Sequence, residues 1–429
     1  MLALARFVRW YTFYMRETTQ ALVVLAAIGA LSALTVYLDP PQFLGAAERL
    51  AASVFFKDSV TEASLKNDYE KAEKGAEKKR AASKVKILIV PGHDAEFPGT
   101  SYKNVNEREL NLALAEELHA LLKKEPRFEI TLSQTDEGYH PELRSYFSTR
   151  RDDILAFAAK QKGLMERYVQ RGKIARVVNI QHNAAPGEMV LRLYGINRFA
   201  NENGIDIVLH IHFNDYPGRK RDAPGKYSGL AVYVPERQYS NAKGSQSVAE
   251  AVHKRLATLY PESDLPQERA GVVEDQELIA LGASNTLDGA GMLIEYGYIY
   301  EPAWANPETR EAVVDDLAFQ TYLGIKDFFE EADDQKNTLA TALLPHRFDR
   351  DLFERVSTKR DVLSLQAALA LAGVYPPQGK TKNDCGLTGF FGPCTKEAVR
   401  RFQEQYNIVP AEGFVGEQTR ARLHSLYGG

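Results

Sequence analysis

The chain has 429 residues, enough for two or three domains, and its 44% hydrophobic and 26% charged residues are ordinary for a folded protein. A net charge of −4 gives no reason to expect a nucleic-acid partner. Cys385 and Cys394 are the only cysteines, which excludes a cysteine-rich zinc site.

Residues 1–20 mix Arg6, Arg9 and Arg16 with Phe7, Trp10, Tyr11, Phe13 and Tyr14. Ala21–Leu38 is uncharged and apolar. As a helix rising 1.5 Å per residue it spans about 27 Å, close to a bilayer core. Arginines precede it and Asp39-Pro40-Pro41 follows, so the positive-inside rule predicts a single-pass anchor with a cytoplasmic N-terminus and everything later outside. A cleaved signal peptide is the competing reading; the run is long for one, and no clear small-x-small cleavage site follows. Residues 39–84 read as a stalk. Its second half, KNDYEKAEKGAEKKRAASK, is charge-dense, partly helical and has little to bury.

From Val85 the pattern changes. Val85–Val90 is a β-branched apolar run stopped by Pro91-Gly92, with His93 next. Glu107 heads an amphipathic helix with Leu110, Leu114, Leu118 and Leu121 on one face. Phe128–Leu132, Ile205–His212, Gly229–Val234 and Met292–Tyr296 read as strands; Ser240–Leu259 and Asn306–Glu330 read as helices. Alternating strands and helices predict an α/β domain over 85–330, with a mostly parallel twisted sheet flanked by helices. In such sheets chemistry gathers at the C-terminal strand ends. Three runs deliver an ionisable residue there: His93, His212 and Glu295. Two histidines and one carboxylate with an open fourth position suit a catalytic zinc, and a further glutamate can serve as its base, with Glu107 and Glu295 the carboxylates at hand.

The ordered motifs Gly92-His93, Glu107-Arg108-Glu109-Leu110-Asn111-Leu112, His210-Ile211-His212-Phe213-Asn214 and Ile294-Glu295-Tyr296-Gly297-Tyr298 resemble those of the zinc-dependent N-acetylmuramoyl-L-alanine amidases of bacterial cell walls, the Amidase_3 family. The resemblance covers about Val85–Glu330. It implies one zinc held by His93, Glu107 and His212, Glu295 as general base, and peptidoglycan as substrate, cut between the muramic acid lactyl group and L-alanine. A zinc peptidase acting within the stem peptide, or a wall tether without activity, are the alternatives. Residues 135–203 depart from the family as a long insert with an amphipathic segment Asp153–Gln170, either surface decoration or a lid. An activating partner cannot be named. Asn111 and Asn214 read as local supports, His210 as a core residue or a support for His212, and His182 in QHNA as a decoy.

Residues 331–354 read as a second linker, and 355–429 as a small all-α domain. Leu365-Gln366 is followed by Gly389-Phe390-Phe391-Gly392 with Thr395, Ala398, Val399 and Phe402-Gln403, and Gly413-Phe414-Val415-Gly416 with Thr419 and Leu423 repeats that phrase. Each phrase reads as a glycine turn, then a threonine-capped helix. The segment resembles the three-helix peptidoglycan-binding module of wall hydrolases. Cys385 and Cys394 within it could pair outside the cytoplasm or stay reduced.

Overall fold

The computed structural model describes residues 57–77, 84–178, 185–216, 218–330, 340–354 and 359–428. Ala21–Leu38 and His182 lie outside the described residues. Among those described, no helix is long and apolar enough to cross a membrane.

The centre is a six-stranded sheet of β1 (Val85–Pro91), β2 (Phe128–Leu132), β3 (Ile207–Asn214), β4 (Ala231–Pro235), β5 (Val272–Asp275) and β6 (Ala290–Tyr298), in the order β2-β1-β3-β6-β4-β5. All pairings are parallel except β6 with β4. This is the expected mostly parallel α/β sheet. Flanking it are helices α1 (Glu62–Glu77), α2 (Glu107–Leu122), α3 (Pro141–Thr149), α4 (Arg151–Gln170), α5 (Gly187–Asn203), α6 (Ala242–Leu259) and α7 (Pro307–Phe329).

Strand alternation sorts the two faces. Ile87 and Ile89 of β1, Ile207, Leu209 and Ile211 of β3, and Met292 and Ile294 of β6 pack with α1, α2, α6 and α7 in the main core. Leu88, Val90 and Val208 point the other way, against Ile196 and Ala200 of α5. On β3 that second face turns from Val208 to His210 and His212 as the strand proceeds, and on β6 it reaches Glu295. On the three central strands β1, β3 and β6 the main-core face is lined by these apolar residues, while the other face carries His210, His212 and Glu295 toward its C-terminal end.

Three boundaries differ from the sequence expectation. The stalk is not free of the domain: Leu65, Tyr69 and Ala72, an i, i+4, i+7 stripe inside the charge-dense run, are buried. The Tyr69 ring stacks on Phe329 at 4.6 Å, its hydroxyl donates to Glu330 Oε1 at 2.9 Å, and Arg127 covers it at 3.9 Å. The insert is not all decoration either. Its last part, α5, covers the sheet and leads into β3 with Leu191, Tyr194, Ile196, Phe199 and Ala200 buried; Ile154 and Ala158 of α4 pack on α5. In the second linker, Leu343, Phe348 and Leu352 are buried, and Leu352 bridges to Val415.

The C-terminal unit contains α8 (Lys359–Leu371), α9 (Pro393–Gln405) and α10 (Glu417–Tyr427), with Cys385 and Cys394 disulfide-bonded between α8 and the first turn of α9. The repeated phrases have a different logic from capping. Gly392 and Gly416 are the N-cap residues, with no side-chain cap bond. Thr395 and Thr419 instead receive Gln366 Nε2 at 2.9 Å and Gln403 Nε2 at 3.0 Å. Each glutamine Oε1 in turn accepts from the turn glycine, Gly389 or Gly413. A buried glutamine satisfied on both sides clamps each turn to its helix.

Candidate metal centre

β1 ends at Pro91, and Gly92 N still donates to Ile211 O at 2.8 Å, keeping the chain against β3. His93 follows with φ +67°, a left-handed conformation uncommon for a residue with a side chain. Three bonds hold this turn: Asn111 Nδ2 to Gly92 O at 3.0 Å, and Gln134 Nε2 to Pro91 O at 2.7 Å and His93 O at 2.5 Å. Asn111 is the support read from the sequence; Gln134, from the segment after β2, carried no motif to reveal it.

His93, Glu107 and His212 converge. Each offers a ligand atom, and these lie within 4.8 Å of one another. Glu107 Oε1 is 3.0 Å from His93 Nε2 and 3.1 Å from His212 Nδ1. Glu107 is the first residue of α2 and buried, where the helix N-terminus favours a carboxylate. Its Oε2 accepts from Thr100 N at 3.0 Å. Burial alone would raise its pKa, but hydrogen bonds from His212 and His93 prevail and hold it far below the carboxylate range. For His93 burial favours the neutral ring, and Glu107 outweighs it, raising the pKa; for His212 burial prevails and lowers it. The two histidine side chains keep 27% and 19% exposure against 6% for Glu107, so the cluster opens to solvent on the histidine side.

The surroundings fit a resident cation. A Cβ on Gly92 would lie 2.2 Å from His212 Cε1, and one on Gly99 would lie 2.4 Å from Glu107 Oε2. Only glycine lets the backbone close around these ligands. Two histidines, one carboxylate and an open side are a donor set that suits zinc.

Glu295 is the register partner of His212 on the neighbouring strand. Its Oε2 has no hydrogen-bond partner among the described residues. Burial pushes its carboxyl well above the usual range, and the charges of Glu107 and Glu268 push the same way. His210, two residues before His212 on the same face, is buried and driven down to about 3 by desolvation, then by His212. It is a neutral core histidine. His119 and His253 lie on α2 and α6, and His346 meets Asp361 at 3.1 Å.

Several neighbours escaped the sequence reading. Glu268, in a loop between α6 and β5, is buried and accepts from Tyr233 OH at 2.5 Å, Asn214 Nδ2 at 3.2 Å and Ser263 Oγ. Asp215 accepts from Arg219 Nε at 2.5 Å and from Thr100 Oγ1, tying the segment after β3 to the loop beside Glu107. On the insert side, Arg192 of α5 bridges Asp94 at 2.5 Å and Glu96 at 2.6 Å, the residues just after His93. None sits at a spacing that announces chemistry. They are single polar residues in loops or, for Arg192, on a helix, recognisable only once the fold brings them together.

Comparison with known proteins agrees with this arrangement. The sequence profile of N-acetylmuramoyl-L-alanine amidase matches residues 87–327, and that of a peptidoglycan binding domain matches residues 358–423. The N-acetylmuramoyl-L-alanine amidase CwlL of Bacillus licheniformis is 40% identical over 65 residues, 15% of this chain and 17% of that protein. The matched stretch is therefore under a fifth of that relative's length. Among solved structures, the N-acetylmuramoyl-L-alanine amidase of Clostridium difficile 630 aligns over 58% of this chain and 98% of its own, at 18% identity and a TM-score of 0.35. Ami1 of Mycobacterium smegmatis aligns over 58% and 99%, at 15% identity and 0.36. Scores of that size carry no weight by themselves, whereas the first profile takes in more than half of the residues: the chain belongs to the N-acetylmuramoyl-L-alanine amidase family.

Proposed function

We propose that the protein is a zinc-dependent cell-wall amidase that cleaves the amide between N-acetylmuramic acid and the L-alanine of the stem peptide. The observation that carries this reading is the convergence of His93, Glu107 and His212 beside Glu295, whose Oε2 is buried with no hydrogen-bond partner among the described residues. The three ligands would hold one zinc ion, which supplies Lewis acidity toward a carbonyl oxygen and water, and whose charge favours ionised carboxylates nearby. Glu295 takes a proton from the attacking water at its carboxylate and returns it to the amine nitrogen that leaves. Glu107, buried and braced by Thr100 N, fixes the two imidazoles relative to each other. Glu268 holds Tyr233 and Asn214 in the wall behind the base.

The C-terminal unit is read as the part that holds the enzyme to peptidoglycan. Ala21–Leu38 is read as a membrane anchor, which places the rest of the chain in the cell envelope. The Cys385–Cys394 disulfide supports that compartment. The test is digestion of purified peptidoglycan with the zinc-loaded chain and identification of the new ends. An amidase releases intact stem peptides starting at L-alanine and leaves lactyl carboxylates on the glycan. Peptide fragments from within the stem would identify a peptidase and refute the amidase assignment. For the topology, protease added outside intact spheroplasts should reach the catalytic domain; full protection would reverse the orientation.

A further inference from the structure

The catalytic domain and the C-terminal unit meet along a groove of about 600 Å³ lined by Tyr102, Lys103, Tyr300, Asn306, Lys359 and Phe390, among others. We infer that this groove is a binding site for glycan strand already stripped of its peptides, an extension of the catalytic cleft that recognises the lactyl carboxylates left by amide cleavage; this rests on the amidase reading above.

The groove is joined to the metal centre through the chain that carries Tyr102. Thr100, which donates to Glu107 Oε2, is two residues from Tyr102, and the hairpin formed by Ser101–Tyr102 and Val105–Asn106 runs directly into Glu107. Arg219 lies 5.6 Å from the rings of both Tyr102 and Tyr300 and ties them to Asp215 beside β3. The catalytic side of the groove is therefore connected to Glu107 through Arg219, Asp215 and Thr100.

The opposite wall carries Phe390. Phe390 is 60% exposed and offers its ring to the groove. Its ring lies over Gly392, where a Cβ would meet it at 2.8 Å, so the glycine seats the ring in place. The groove is also of fixed width. A Cβ on Gly389 would lie 2.6 Å from Thr309 Cγ2 of α7, so the turn bearing Phe390 is pressed onto the catalytic domain. Asn383 Nδ2 donates to Glu262 O at 3.1 Å and Lys382 Nζ to Ala257 O, which fastens the unit a second time.

Chemistry selects the occupant. The lining contains two lysines and no acidic residue, in a chain of net charge −4. Lys103 sits at the hairpin tip with φ +53°, a turn position where glycine or asparagine is the unstrained choice, and its Nζ stands 5.0 Å from the Tyr102 ring. Aromatic faces receive the apolar faces of sugar rings, and ammonium groups receive carboxylates. Each amide hydrolysis converts a neutral lactyl amide into a carboxylate on the strand. A strand cut once thus gains what the lysines recognise, and the next cut falls on the same strand.

The test needs no turnover. Labelled peptide-free glycan strands are titrated against the full chain, alongside chitin oligosaccharides of equal length, which have the same sugar backbone and no lactyl carboxylate. The peptide-free strand should bind about tenfold tighter. Lys103→Ala combined with Lys359→Ala should abolish that preference, Phe390→Ala should weaken both oligomers, and Phe390→Trp should restore them. Equal affinity for the two oligomers would overturn the proposal. So would displacement of the strand by free stem peptide, or unchanged binding by Phe390→Ala. A chain that binds strands without releasing stem peptides fails only the amidase reading, and an active amidase indifferent to these strands fails only this one.

Discussion

Glu295 and His212 are direct register partners on the parallel strands β6 and β3, and both project from the face opposite the main core. The pairing sets the two side chains next to each other through backbone geometry alone. Register shifts just beyond, between Glu295 and Tyr298, so the alignment holds at the position where chemistry needs it.

The nearest test of that geometry is Gly92→Ala. The new Cβ would stand 2.2 to 2.6 Å from three atoms of the His212 ring, so the imidazole must rotate away. Folding should survive, because the site lies at the C-terminal ends of the strands and outside the apolar core. Zinc affinity, measured by competition with a chelating dye, should fall roughly 10–100-fold, as for other disturbed ligand supports. Affinity within twofold of wild type would show that His212 does not sit where it is placed here.

Much of this centre was legible in the sequence because strand ends and glycine turns announce themselves. Gly92-His93, His212 and Glu295 each follow an apolar run of strand length, and Glu107 opens a helix with a leucine stripe. Strand β5 was not legible: Val272–Asp275 offers only two apolar residues, too few to show a period. Helix α1 was misread as a free stalk because its apolar stripe is three residues wide within a charged run. Its partners, Phe128 and Phe329, lie far along the chain. Glu268 and Asp215 were missed because their importance comes from what the fold brings against them.

Asp316→Ala tests how the segment after α7 is held. Asp316 is fully buried and accepts from Thr341 Oγ1 at 2.6 Å, Ala342 N at 2.7 Å, Tyr260 OH at 2.7 Å and Gln320 Nε2 at 3.2 Å. Removing the carboxylate leaves these donors without their acceptor, which should cost about 2–4 kcal/mol in urea denaturation. A loss under about 0.5 kcal/mol would mean that the segment is not anchored there.

Glu301 predicts a pH dependence of stability. Its carboxyl is raised to about 7, chiefly by burial, against the opposing pull of hydrogen bonds from Tyr298 N and Gly229 N. The folded state therefore holds a proton that the unfolded chain has released above its ordinary pKa. The stabilising contribution is complete below that ordinary value and is lost as pH rises through about 7. Glu301→Gln keeps the carbonyl acceptor and removes the titration. The wild-type decline, at most about 1.4 kcal/mol per pH unit, should flatten in the variant between mildly acidic and neutral pH. Parallel curves for the two proteins would refute the assignment to Glu301.

The two carboxylates of the centre are separated by one pair of variants. Glu295 is read as moving protons without holding the zinc, and Glu107 as holding it. Glu295→Gln preserves volume and can still hydrogen-bond a water, but it cannot accept that water's proton. It also replaces a carboxyl group whose Oε2 is buried with no partner among the described residues by a neutral amide, so the fold should be at least as stable as before. Zinc content should remain at one per chain while the rate on peptidoglycan falls roughly 10²–10⁴-fold, the usual worth of a positioned acid–base group. Glu107→Gln removes the charge that draws His93 and His212 together at 3.0 and 3.1 Å. Zinc affinity should then fall along with activity, and raising the zinc concentration should recover part of the lost rate. Added zinc should do nothing for Glu295→Gln. If instead Glu295→Gln loses its zinc and Glu107→Gln keeps it, the roles are exchanged. If Glu295→Gln retains activity within a few-fold of wild type, the proton passes through another group.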